Sequence, residues 1–96
     1  MLELIQKLKA RILEYREEKI TKVDFNENRL VCCTSIELAV IFAELYYKNK
    51  RKISKSEIVF FQGGRFISDI IGSDPLYEDI YDMYYELSNE INEIFQ

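Results

Sequence analysis

The chain has 96 residues, 48% of them apolar and 31% charged, with one proline and three glycines. That is one domain, residues 1–96, with a core of its own and not a disordered tail. A formal charge of −4 removes the usual footprint of a nucleic-acid binder, and the absence of histidine excludes Ser-His-Asp, Cys-His and His-metal chemistry.

The charge is unevenly placed. Up to Arg65 there are thirteen cations against nine acids, a net of +4; over residues 66–96 there are eight acids and no cation, a net of −8. Such a division marks the C-terminal third as the part that would attract a basic surface.

Residues 2–20 read as an amphipathic helix. Ile5, Leu8, Ile12 and Tyr15 recur at 3-4-3 spacing, with Leu2, Leu4, Leu13 and Ile20 widening the stripe. Glu3 and Lys7 interrupt what a signal peptide would need as its apolar stretch. The longest clearly apolar run, Leu38 to Ala43, is far shorter than the ~20 residues of a membrane helix. A cytoplasmic protein with no membrane partner is expected.

Residues 20–33 are read as a short β-hairpin. Val23 and Phe25 alternate with Lys22 and Asp24, Asn26-Glu27-Asn28 supplies the turn, and Leu30-Val31-Cys32-Cys33 returns. The rival is a short helix capped by Thr21. Cys32 and Cys33, the only cysteines, form neither a Cys-x-x-Cys pair nor half of a zinc site, and strain disfavours a disulfide between neighbours. They read as core residues in a reducing compartment, and no metal or cofactor is expected.

Thr34 and Glu37 have capping-box spacing. The helix they introduce, through Ile36, Ala39, Val40, Ala43, Leu45, Tyr46 and Tyr47 to about Lys50, is apolar on most of its circumference and is expected to be the most buried. Lys48, Lys50, Arg51, Lys52 and Lys55 end it. These cations can compensate the helix C-terminus in a soluble loop, dock on the acidic final helix within the monomer or between copies, or, with Arg65, contact phosphates.

Ser54 and Glu57 form a second capping box ahead of Ile58-Val59-Phe60-Phe61. A helix to Ile71, either continuous or broken at Gly63-Gly64, and stopped by Gly72, is the reading taken; a hairpin at the glycines would make the fold α+β. Gly63-Gly64 belongs to neither of the glycine-rich phosphate-binding patterns.

Asp74 as N-cap and Pro75 at the first position start the final helix. Leu76, Ile80, Met83, Leu87, Ile91 and Ile94 make a core-facing ridge, with Glu78, Asp79, Asp82, Glu86, Glu90 and Glu93 opposite. Tyr77, Tyr81, Tyr84, Tyr85 and Phe95 fill one flank. Tyrosine beside carboxylate suits either lapping over a neighbouring helix or contact with a basic partner.

The expectation is therefore a mainly α, single-domain helical bundle of four to five helices, not an enzyme. Its leading function is a small acidic inhibitor, of the immunity-protein, antitoxin or phage type, that occupies a basic, nucleic-acid-binding surface of a partner such as a nuclease. The partner-binding residues would be Tyr77, Tyr81, Tyr84, Tyr85, Asp82, Glu86, Glu90 and Glu93. Two alternatives stand beside it. One is a helix-turn-helix-like DNA-binding regulator using Lys48, Lys50, Arg51, Lys52, Lys55 and Arg65, for which only Gln62 and Arg65 offer base-reading side chains. The other is a module that homodimerises through its tyrosines.

Overall fold

The 3-4-3 stripe at the N-terminus buries Ile5, Leu8, Ile12 and Tyr15 on one side of a helix, α1 (Leu2–Tyr15), as its period requires. A computed structural model describes residues 1–21 and 26–95 of the chain. Leu2 and Leu13, counted as widening the stripe, are exposed instead. Past Tyr15 the helix loosens into a π-helical stretch, Arg16–Thr21.

From Glu27 on, the segment read as a hairpin is helical. α2 runs from Glu27 to Asn49, so Leu30-Val31-Cys32-Cys33 is helix, and its start is set by Asn26. The Asn26 side-chain oxygen accepts from the amides of Asn28 at 2.9 Å and Arg29 at 3.2 Å. The turn-like Asn-Glu-Asn is thus an N-cap. Val23 and Phe25, the other half of the supposed hairpin, lie outside the described residues, as does the side chain of Thr21, the cap of the rival helix. Thr34 and Glu37 cap nothing. They lie mid-helix, one turn apart, and jointly hold Arg16: its Nε donates to Glu37 at 3.0 Å and its Nη2 reaches Thr34 Oγ1 at 3.3 Å.

α2 ends where Lys50 adopts the left-handed conformation (φ 56°), with the amides of Lys50 and Arg51 both directed at the Leu45 carbonyl. The second capping box forms as its spacing implies: the Ser54 amide donates to Glu57 at 2.9 Å and the Glu57 amide to Ser54 Oγ at 3.3 Å. Only a turn and a 3-10 turn, Ile58–Phe61, follow it; the chain then breaks at the glycines and resumes as α3, Gly64–Ile70. Gly72, just past the end of α3, lies against that helix so closely that a Cβ there would be 2.8 Å from the Ser68 carbonyl oxygen.

Asp74 opens a turn, not the last helix. Its carboxylate accepts from the Leu76 amide at 3.0 Å and its carbonyl from the Tyr77 amide at 3.0 Å. α4 begins at Glu78 and runs to Ile94. The start moves Leu76 off the helix, where it is 73% exposed, and the core ridge becomes Tyr77, Ile80, Tyr84, Leu87 and Ile91. Two of the tyrosines assigned to the flank are therefore core residues, while Met83 is half-buried and Ile94 exposed.

The result is an all-α globule of four helices plus a 3-10 turn, with no strand among the described residues. α1 packs against both α2 and α4, and the 3-10 turn and α3 close the other side against the same two helices. The Tyr84 hydroxyl donates to the Phe60 carbonyl at 2.8 Å and accepts from the Gly63 amide at 3.1 Å; the Asn92 amide donates to the Phe61 carbonyl at 2.8 Å. α2 is by length and composition also long and apolar enough to cross a membrane, yet only 33% of its most apolar stretch is buried in this fold.

Candidate interaction surfaces

The outer side of α4 is built by the same period that builds its core ridge. At about 100° per residue, Glu78, Asp82, Glu86 and Glu93 fall opposite Ile80, Tyr84, Leu87 and Ile91, and Glu90 lies on the flank between. All five carboxylates are exposed. Two other acids of this region are used internally: Asp79 is held by Arg11 at 2.7 Å and Asp74 by Lys19 at 3.5 Å. The guanidinium and its hydrogen bonds hold the Asp79 carboxyl below the usual carboxylate range. None of the five outer carboxylates is paired with a cation among the described residues. Glu90 and Glu93 lie in the last turns of the helix, where the dipole disfavours them.

The tyrosines divide. Tyr77 packs edge-on against Tyr15, with ring centroids 5.1 Å apart, and lies beneath the Arg11 guanidinium at 5.0 Å. Tyr84 is fully buried, and burial raises its hydroxyl above the ordinary tyrosine range. Tyr84 has no exposed surface to offer a partner, and Tyr77 keeps only 8%. Tyr81 is half-buried and stacks at a tilt against Tyr85, which is 52% exposed and borders the carboxylates. Of the expected contact set, Asp82, Glu86 and Glu93 share one exposed side, with Tyr81 and Tyr85 on one flank of it and Glu90 on the other.

The basic cluster stays apart from α4. Lys48 pairs with Glu44 at 3.5 Å, and Arg51 clasps Glu57 through two bonds of 2.8 and 3.1 Å, with the Glu57 carboxyl held down at about 2 by those bonds and the Ser54 amide. Docking of the cluster on the acidic helix within the monomer does not occur among the described residues. Lys50, Lys52, Lys55 and Arg65 are exposed. The second helix of a helix-turn-helix would be α3, seven residues long, which exposes Arg65, Phe66 and Asp69.

Cys32 and Cys33 are free and fully buried, facing the Phe66 and Ile12 carbonyls at 3.9 and 4.0 Å. Burial pushes their thiols up to about 12 and about 11. Among the described residues, no three acidic or thiol side chains converge as a metal site would require.

One surface was not visible in the sequence. α2, expected to be the most buried helix, turns Val31 (52% exposed) and Ile41 (48% exposed) to the outside, with Leu38 and Leu45 half-buried between and beyond them. On α1, Leu13 (53% exposed) continues the patch. A groove of about 130 Å³ lined by Lys9, Ile12, Leu13, Glu37, Val40 and Ile41 runs between the two helices. Apolarity on every side of α2 hid this face, because period alone could not tell which side faces in. Comparison with protein-family models, with curated proteins and with solved structures returned no match.

Proposed function

We propose that the protein is a stoichiometric inhibitor, comparable in role to an immunity protein, an antitoxin or a phage-borne inhibitor, that lays the outer face of α4 over a basic, nucleic-acid-binding surface of a partner protein. One observation carries the reading: Glu78, Asp82, Glu86 and Glu93, with Glu90 on their flank, are exposed and lack an internal counter-charge among the described residues. Carboxylates near the C-terminal end of a helix weaken the fold through its dipole, so their presence fits use outside it. Tyr85, with Tyr81 behind it, adds an amphipathic ring surface at the edge of the charge, the arrangement that protein interfaces favour. Complementary charge speeds encounter and rejects acidic competitors. The reading places the protein in the cytoplasm, which suits two buried thiols left free.

The test uses a cationic partner captured on the immobilised protein at low salt, then identified and purified. Replacing Asp82 and Glu86 by Lys should slow association about tenfold and flatten its salt dependence. Circular dichroism should show the fold unchanged. An association rate equal to that of the native chain would reject the reading.

A further inference from the structure

α2 has a composition that its place in the monomer does not explain. A helix apolar on nearly all sides belongs in the centre of a larger core or against a second surface. Along its open side, Glu27, Val31, Thr34, Leu38, Ile41, Leu45 and Lys48 are each exposed or half-buried. Their spacing is 4-3-4-3-4-3, the repeat by which one helix offers a continuous seam to another. The interior of the seam is apolar apart from Thr34, and its two ends carry opposite charges.

We infer that this seam pairs with the same seam of a second copy of the chain, antiparallel, about a two-fold axis close to Leu38. In that orientation the seam is its own complement. Glu27 meets Lys48 of the second copy, Val31 meets Leu45, Thr34 meets Ile41, and Leu38 meets itself. A parallel pairing would set Glu27 on Glu27 and Lys48 on Lys48, so charge selects the antiparallel arrangement. The groove beside Ile41, with Leu13 on its rim, extends the apolar surface onto α1 and gives the second helix a flank to lie against. A two-fold interface of this kind uses one patch twice, and only a self-complementary patch can do so. Charged groups at both ends of the seam, with Glu37 and Glu44 beside it, fit a partner helix better than a lipid surface. The acidic face of α4 takes no part, so this assembly and the proposed inhibition stand or fall separately.

Sedimentation equilibrium of the full chain tests the proposal. The native protein should sediment as a dimer, and Ile41→Glu as a folded monomer. Glu27→Lys or Lys48→Glu alone, both at exposed positions, should weaken the dimer about tenfold, because symmetry turns two attractive pairs repulsive. The double exchange should restore it. A native chain that remains monomeric at every concentration overturns the proposal, as does a dimer indifferent to Ile41→Glu. Failure of the double exchange to rescue overturns the antiparallel register. A monomer that floats with neutral phospholipid vesicles assigns the face to lipid and overturns it as well.

Discussion

Arg11 and Asp79, 68 positions apart in the chain, are joined by two charge-assisted hydrogen bonds of 2.7 and 3.0 Å. The same guanidinium donates to the Leu76 carbonyl at 2.8 Å and covers the Tyr77 ring. α4 has no side-chain cap of its own at Tyr77, and Arg11 fixes the turn that launches it. Asp79→Asn should cost about 1 kcal/mol at neutral pH, the upper end for a partly exposed pair with bidentate geometry. Because the folded Asp79 carboxyl is lowered, its contribution is present above the unfolded pKa and is lost as pH falls through the folded one. Urea titrations should therefore separate Asp79→Asn from the native chain at pH 7 and bring them together in acid.

Tyr84 and Tyr85 are adjacent, and their hydroxyls have opposite fates. Tyr84→Phe leaves the Gly63 amide and the Phe60 carbonyl without their partner, a loss of about 2 kcal/mol. Tyr85→Phe should leave stability within about 0.5 kcal/mol, as expected of an exposed site. Equal effects in chemical denaturation would contradict this division.

Backbone geometry gives a third set of outcomes. Lys50 occupies the left-handed region, which a side chain disfavours by about 1 kcal/mol, so Lys50→Gly should stabilise. Gly64→Ala should raise stability by about 0.5 kcal/mol, since a Cβ there meets nothing within 4 Å in a helical position. Gly72→Ala should lower it, because the new Cβ would press on the Ser68 carbonyl. Melting temperatures of the three variants check the signs.

Glu90 and Glu93 predict a trade between stability and binding. Replacing either by Lys should stabilise the chain by about 0.3–1 kcal/mol through the helix dipole and weaken binding to a basic partner. A thermal scan and a binding titration on one preparation check both halves.

Cys32 and Cys33 should be silent toward thiol reagents in the folded protein. Their raised pKa values and complete burial leave almost no accessible thiolate at neutral pH. Both should react promptly once urea unfolds the chain.

Much of the fold was legible where one side of an element is apolar and the other is not. α1 is the clearest instance, with Ile5, Leu8, Ile12 and Tyr15 buried as spaced. The reciprocal Ser54–Glu57 box was legible as well, though only a 3-10 turn follows it where a helix was expected. Capping patterns misled where a helix interior happens to contain them: Thr34 and Glu37 have the right spacing because that spacing is also one helical turn, and Arg16 uses it. The phase of α4 was misjudged for a related reason. An aliphatic ridge through Leu76 and Met83 and a mixed ridge through Tyr77 and Tyr84 share Ile80, Leu87 and Ile91, and the packing of Tyr84 against Phe60 and Gly63 selects the second. Of the candidate site, the acidic face was visible as a charge pattern. The division of the tyrosines depended on that phase, and the seam on α2 had no polar side to reveal it.

The dependence of residues 60–63 on α4 has a consequence for how the chain is made. Phe60, Phe61 and Gly63 find hydrogen-bond partners on Tyr84 and Asn92, and those partners are synthesised after them. α1 and α2 can begin to pair early in synthesis. Residues 60–63 have to wait for α4. Truncation within α4 would thus unmake the molecule from its centre outward, and not only shorten it.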